Sequence, residues 1–167
     1  MTTVTNEDIL DKIKGRFPTA VVDVPANMKD FTILLAADQL FAVATFLHDE
    51  MGFDYLTDVT AVDYRDRFEV VYHLYSVSQK SGMLVLKVNL TEREHPEIAS
   101  VTPIWAGAHL MECEAYDLMG IQFAGHPQLR RIMMWDGFPG HPLRKDFENR
   151  TFTFKDLEPT RPKPPHW

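Results

Sequence analysis

Most of the residues that could do chemistry lie in one stretch of the chain, ECEAYDLMGIQFAGHPQLRRI. On a helix, Glu114 and Asp117 are three positions apart, so the spacing predicts that both can lie on one face. Paired carboxylates suit general acid–base catalysis, and together with His126 they could bind a metal ion. The same carboxylates could instead form ion pairs with Arg130 and Arg131. The residue types leave catalysis, metal binding and a structural or interface ion-pair cluster as three interpretations.

The spacing of these residues matches no familiar catalytic or nucleotide-binding motif. The chain has no H-E-x-x-H, G-x-S-x-G, G-x-G-x-x-G or P-loop pattern. Gly120 predicts the end of a helix, and Gly125 with Pro127 predicts a turn, so His126 lies beyond the helix. His126 precedes a proline, as His141 does, which favours a restricted turn over a ligand role. The pattern therefore favours the ion-pair cluster over catalysis or metal binding.

Composition excludes several function classes. The formal net charge of −7 and the lack of a basic run argue against autonomous binding of nucleic acid. Cys113, the single cysteine, excludes an internal disulfide and a zinc or iron–sulfur site built from cysteines, and it is predicted to be a packed thiol. Neither a signal peptide nor a transmembrane helix of about 20 apolar residues is expected. Any membrane association is therefore expected to come through a partner.

Hydrophobic periodicity predicts an α+β fold with a mainly antiparallel sheet and packed helices. Helical spacing is found over residues 5–17, 38–52 and about 107–119, with Thr5 or Asn6 as the first cap. Strand-like segments cover residues 20–24, 31–36, 53–64, 67–77 and 82–90, and the first two are predicted to form a hairpin. Residues 91–105 are predicted to be a connection interrupted by proline.

The character of the chain changes after Ile132. Residues 133–167 are rich in proline and almost free of aliphatic side chains, so they cannot build a second core. We therefore predict an α+β domain over residues 1–132 and an extended, partner-binding C-terminal segment over residues 133–167. The interface anchors expected in this segment are its aromatic residues, Phe147, Phe152, Phe154 and Trp167.

Two linked motifs resemble one known family. IWAGAHLMECEAYDLMGIQFAGHPQLRRI, followed by HPLRKDF, resembles the signature of the 30 kDa subunit family of NADH–quinone oxidoreductase, the bacterial form of respiratory complex I. The resemblance covers roughly residues 30–147. One position departs from the family pattern, because Cys113 stands where an arginine is usual between the two glutamates.

This resemblance implies a non-catalytic subunit in the peripheral arm of a proton-translocating NADH (or related donor):quinone oxidoreductase. It implies no cofactor, metal or catalytic residue in this chain, with iron–sulfur clusters and quinone held by partner subunits. The implied partners are the large quinone-site subunit and the small iron–sulfur subunit, on the cytoplasmic side of the cell membrane. The residues expected to brace the motif or bind partners are Glu112, Glu114, Asp117, His126, Arg130, Arg131, Arg144, Lys145, Asp146 and Phe147.

Two alternatives accompany this interpretation. Within the same broad family, the chain could be the equivalent subunit of a ferredoxin- or F420-linked complex or of a membrane-bound hydrogenase. From a different class, it could be a free-standing hydrolase that uses Glu114, Asp117 and His126.

Overall fold

The protein is built on a five-stranded β-sheet with packed helices, in a computed structural model that describes residues 5–78, 82–148, 151 and 153. The helices of this part are α1 (Asn6–Arg16), α2 (Leu40–Asp49, entered through a 3-10 turn at Ala37–Gln39) and α3 (Ala108–Met119). The strands are β1 (Val21–Asp23), β2 (Phe31–Leu35), β3 (Tyr55–Asp63), β4 (Phe68–Tyr75), β5 (Leu84–Leu90), β6 (Glu97–Ala99) and β7 (Gln122–Ala124). The predicted α+β class is confirmed.

The main sheet has the strand order β1-β2-β5-β4-β3. Its strand pairs are antiparallel except for β2 and β5, which run parallel. The predicted hairpin of β1 and β2 and the mainly antiparallel sheet are therefore confirmed. Strand β5 lies between β2 and β4. The parallel pair therefore joins two strands that are far apart in the sequence.

One face of this sheet forms the core. Ile33, Leu86, Tyr72 and Val59 lie side by side across four strands, and all four are buried. Because side chains alternate along a strand, the residue before and the residue after each of these four point to the opposite face of the sheet. The apolar sides of α1, α2 and α3 join the same continuous cluster of buried side chains. Helix α1 begins at a capping box, in which the side chains and backbones of Thr5 and Asp8 bond reciprocally.

The connection predicted over residues 91–105 contains a strand that the sequence patterns missed. β6 pairs in parallel with β7, which follows α3, so that the two strands form a second, two-stranded sheet. Each of these strands is three residues long. A period of two cannot be recognised over so short a span, which explains why the pattern predicted a plain connection.

The C-terminal segment packs on the α+β domain as far as the structure describes it continuously. Residues 133–148 lie against the end of α3 and the edge of the main sheet, and Phe138 is buried there. Residues 149–150, 152 and 154–167 fall outside the described residues. The predictions for Phe152, Phe154 and Trp167, and for an extended tail there, concern those residues. The predicted domain boundary at 132 remains a prediction.

Helix α3 ends at Gly120, as predicted, in the left-handed conformation with φ of 75°. A Cβ atom at this position would lie 2.6 Å from the His141 ring and 2.8 Å from Arg144 Nη2. Both neighbours belong to the C-terminal segment. A glycine is therefore required at position 120 for two reasons: the left-handed backbone at the helix end and the close approach of the C-terminal segment.

Replacing Gly120 by alanine should lower the free energy of unfolding by about 2–4 kcal/mol, because backbone strain and overpacking add together. Gly125→Ala is the matched control, since Gly125 has φ of 83° but no atom within 4 Å of the added Cβ. That control should cost about 1–2 kcal/mol, from backbone strain alone. Urea denaturation of both variants measures the difference. Equal losses would mean that the C-terminal segment does not pack on the end of α3.

Candidate functional site

Helix α3 directs its motif carboxylates to different environments. Glu112 and Asp117 are fully buried, whereas Glu114 is exposed. Glu114 and Asp117 are three positions apart on α3, as the sequence indicated, but one carboxylate is exposed to solvent and the other is enclosed. The arrangement on this helix contains no carboxylate pair of the kind that acid–base catalysis would use.

Asp117 anchors the start of the C-terminal segment. Its Oδ2 accepts hydrogen bonds from the backbone N–H groups of Ile132, Met133 and Met134, at 2.9, 2.7 and 2.9 Å. Its Oδ1 lies 2.8 Å from Nη1 of Arg131 in an ion pair. Burial raises the pKa of Asp117, but these four donors outweigh it, so the pKa lies below its ordinary value. The predicted pairing of a motif carboxylate with Arg131 is seen here.

Arg131 extends this anchor along the segment. Its Nη2 donates to the carbonyl oxygen of Gly140 at 3.0 Å, and Nη1 also reaches the carbonyl of Asp117 at 3.3 Å. His141 Nδ1 lies 2.9 Å from that same Asp117 carbonyl. Arg130, the neighbouring arginine, is exposed and forms no ion pair with a described residue. Only one of the two adjacent arginines therefore braces the fold.

Glu112 braces the other end of α3. Its carboxylate accepts hydrogen bonds from Ser100 Oγ at 2.6 Å, the Val101 N–H at 2.7 Å and Thr102 Oγ1 at 3.1 Å. Burial raises the pKa of Glu112, and these bonds oppose the rise. Since Ser100 directly follows β6, the carboxylate fixes the connection between the small sheet and the helix.

A second buried carboxylate network holds the later half of the C-terminal segment. Asp63, at the end of β3, pairs with Arg93 at 2.6 and 3.1 Å and accepts the Lys145 N–H at 2.9 Å. Arg93 also reaches Asp146 at 3.3 Å. The hydrogen bond from Arg93 holds the pKa of Asp63 well below its ordinary value. The side chains of Lys145 and Asp146 remain on the surface.

Arg144 closes this network from within the segment. Its Nε donates to the Met119 carbonyl at 2.6 Å and its Nη1 to the Arg93 carbonyl at 3.2 Å. The guanidinium groups of Arg144 and Arg93 lie 5.0 and 4.6 Å from the centroid of the Phe68 ring. Phe147 stacks on the buried Phe138 at 5.8 Å. Arg144 and Phe147 thus make internal contacts in the structure of the single chain.

Sequence reasoning missed four residues whose side chains complete these networks: Asp63, Arg93, Ser100 and Thr102. Asp63 and Arg93 are 30 residues apart, and Asp63 meets the Lys145 N–H across 82 residues. Such contacts depend on the strand order of the sheet and leave no local pattern.

His126 lies in the turn predicted for it, but beside two residues of α3. Its Nε2 is 3.8 Å from Cys113 Sγ and 3.1 Å from the carbonyl oxygen of His109, and its ring stacks on the His109 ring at 4.6 Å. Its Nδ1 accepts the N–H of Gln128 at 3.1 Å. The cysteine is buried, as predicted, and its sulfur also approaches the Gln128 carbonyl at 3.6 Å.

Fold and site together define an α+β protein whose C-terminal segment is tied to its own core by buried carboxylates. The family described as "Respiratory-chain NADH dehydrogenase, 30 Kd subunit" matches residues 33–153. The chain belongs to this family, the 30 kDa subunit family of NADH–quinone oxidoreductase.

Individual relatives agree with this assignment. A subunit of the NADH-quinone oxidoreductase of Moorella thermoacetica is 51% identical over 151 residues, which cover 87% of this chain and 97% of the relative. A subunit of the same enzyme from Geotalea uraniireducens is 43% identical, over 85% of this chain and 87% of the relative. A chain in the structure of the membrane-bound sulfane sulfur reductase, an archaeal respiratory membrane complex, has the same fold, with a TM-score of 0.65, 24% identity and 85% of both chains covered.

Asp117→Ala should lower the free energy of unfolding by about 3–5 kcal/mol, because it leaves Arg131 and three N–H groups without their acceptor. Glu114→Ala is the control on the same helix. Because Glu114 is exposed, that change should stay within about 0.5 kcal/mol. Chemical denaturation measures both. A small loss in the Asp117 variant would mean that the C-terminal segment is held by other contacts.

Acid should weaken the fold through Asp63. Its folded pKa lies below the unfolded value of about 3.9, so its stabilising contribution is present above that value and is lost as the pH falls toward the folded pKa. Asp117 acts in the same direction, whereas Glu112, whose pKa is raised, acts in the opposite one. Asp63→Asn should therefore be less stable than the wild type at neutral pH and lose less stability between about pH 5 and pH 3. Parallel losses in the two proteins would contradict this role.

Proposed function

We propose that this chain is a non-catalytic subunit in the peripheral arm of a proton-translocating NADH (or related donor):quinone oxidoreductase. It supports assembly of the large quinone-site subunit and the small iron–sulfur subunit, which hold the quinone and the iron–sulfur clusters. It works on the cytoplasmic side of the cell membrane and reaches the membrane through the complex. In the part of the chain that the structure describes, no helix is long and apolar enough to cross a bilayer.

The observation that carries this proposal is the use of the motif's ionisable groups. Their hydrogen-bond partners belong to the same chain: Glu112, Asp117 and Arg131 all bond to its own backbone and side chains. A catalytic carboxylate needs room for a substrate, and these carboxylates are enclosed by donors. The same observation argues against the hydrolase alternative, because the Asp117 carboxylate is buried and already accepts four hydrogen bonds, whereas Glu114 is exposed.

A surface for the large subunit is available beside the braced motif. We define the α3–β3 face by Thr60, Glu114, Leu118 and Leu143, which line a shallow cavity of about 50 Å³ between the helix and the strand. Leu143 leaves 55% of its surface exposed. An exposed leucine beside a small depression, with a carboxylate at the rim, suits a partner that offers an apolar side chain and a cation.

In this proposal, the internal hydrogen bonds of the motif hold the docking surface in one conformation. Leu143 is held by its own N–H, which donates to the Leu118 carbonyl at 3.0 Å, and by the neighbouring Arg144. The partner therefore meets a surface whose backbone is already ordered, and less conformational entropy is lost on binding. The charged motif would contribute to assembly by presenting this face in one geometry.

Leu143→Asp should weaken binding to the large subunit by at least about 10-fold, because it places a charge against the apolar side chain that the partner offers there. The stability of the isolated chain should change by less than about 1 kcal/mol, since the residue is largely exposed. Affinity purification from cells, with quantitative mass spectrometry of the co-purified subunits, measures the effect.

Val22→Asp is the matched control. Val22 is 62% exposed and lies on β1, at the opposite edge of the sheet from β3, so this variant should co-purify with its partners as the wild type does. Normal recovery of partners by the Leu143 variant would place docking elsewhere. A wild-type chain that recovers no quinone-site or iron–sulfur subunit would overturn the proposed function itself.

The alternative within the broad family is the equivalent subunit of a ferredoxin- or F420-linked complex or of a membrane-bound hydrogenase. A chain of an archaeal respiratory membrane complex shares the fold of this chain. The electron donor oxidised by the purified complex distinguishes the two.

A further inference from the structure

The strongest unassigned feature of the chain is a cluster of His109, Cys113 and His126, called here the His–Cys cluster. One ligand atom from each residue lies within 4.8 Å of the other two. We propose that this cluster is a binding site for a single Zn²⁺ ion, with water in the fourth position. The proposal does not depend on the function proposed above, because it rests on residues that the bracing networks do not use.

The donor set is the one that zinc prefers. A cysteine thiolate and two neutral imidazoles are typical Zn²⁺ ligands, whereas magnesium and calcium require oxygen. Sequence spacing predicted no metal site because His126 comes from a turn beyond the helix. The fold brings it back over α3, so a site built from one cysteine and two histidines arises only in three dimensions.

The distances fit with small adjustments. Tetrahedral zinc, with bonds of about 2.3 Å to sulfur and about 2.0–2.1 Å to nitrogen, holds the two atoms roughly 3.6 Å apart. Cys113 Sγ and His126 Nε2 are already 3.8 Å apart. The His109 ring must turn toward them and leave its stacking contact with the His126 ring, and His126 Nε2 must turn from the His109 carbonyl to the ion. The nitrogens of His109 have no hydrogen bond to a described residue and its side chain is partly exposed, so its rotation gives up the ring stacking alone within that part of the chain.

Backbone geometry positions the three residues independently of any metal. His109 and Cys113 are four residues apart on α3, so they lie on one face of the helix. Gly125, with φ of 83°, turns the chain so that His126 faces them. The backbone therefore brings the three residues together before any ion binds.

Binding has a defined proton balance. The Cys113 thiol releases its proton to solvent when the sulfur binds the ion. His126 must bind through Nε2, which now faces the His109 carbonyl, so the ring proton moves to Nδ1. The N–H of Gln128 then loses Nδ1 as its acceptor, and because Gln128 is exposed, water can replace it. No oxidation or reduction occurs.

In the family pattern that the motif resembles, an arginine stands at the position of Cys113, and a guanidinium group does not coordinate a metal ion. Replacing the thiol by the usual arginine, Cys113→Arg, should therefore abolish the site while keeping the rest of the motif.

Cobalt and zinc titrations of the purified full chain test the proposal. Co²⁺ should bind with a stoichiometry of one and produce a near-ultraviolet thiolate-to-cobalt charge-transfer band, which Zn²⁺ then removes. X-ray absorption of the zinc-loaded wild type should give one sulfur and two nitrogen ligands. Hydrogen exchange at the Gln128 amide should accelerate on loading.

Variants identify the ligands. Cys113→Ser and His126→Gln should weaken zinc binding by more than about 100-fold, beyond the 10- to 100-fold typical of outer-shell changes. His95→Ala, at an exposed histidine outside the cluster, should bind as the wild type does. A wild type without the charge-transfer band, a band that survives in Cys113→Ser, or a zinc shell without sulfur would each overturn the site. The spectroscopy of the wild type decides the matter even if a variant fails to fold.

Discussion

The rest of the motif depends on one constraint, the burial of the Asp117 carboxylate. A buried charge is costly unless donors surround it, and here three backbone N–H groups and one guanidinium do so. Those donors come from residues 131–134, so satisfying the carboxylate fixes the path of the chain as it leaves the turn after β7. Arg131 then binds the Gly140 carbonyl, which carries the same constraint further along the segment.

The second network repeats this solution at the sheet edge. Asp63 gathers the Arg93 side chain and the Lys145 N–H, and Arg144 reaches back to the carbonyls of Met119 and Arg93. The C-terminal segment has few aliphatic side chains of its own, and fixing each of its residues costs about 1–2 kcal/mol of backbone entropy. Charge-assisted hydrogen bonds to preformed carboxylates offset part of that cost. Hydrogen bonds to ionisable groups thus stabilise the folded position of this segment, whereas apolar packing stabilises the sheet.

The sequence predicted those features that depend on local pattern. The three helices, the five main strands and the helix end at Gly120 follow from periodicity and capping. β6 and β7 were too short for a period to be recognised. The partners of Asp63 and the meeting of His109, Cys113 and His126 depend on the tertiary path of the chain. Family membership could be recognised because the spacing of the motif is retained. The residue that each motif side chain contacts could not be recognised from the sequence.

The parallel pairing of β2 with β5 has a consequence for how the chain is made. Phe31 lies beside Leu84, so the inner edge of β2 has no partner strand until translation has passed β5. Until then, the β1–β2 hairpin presents unpaired backbone groups to solvent and to other chains. Closing this long loop is also an entropic barrier that slows formation of the sheet. The free edge of β2 is therefore open to wrong pairing while the N-terminal half emerges, and the main sheet can close only after the chain through Leu90 has left the ribosome.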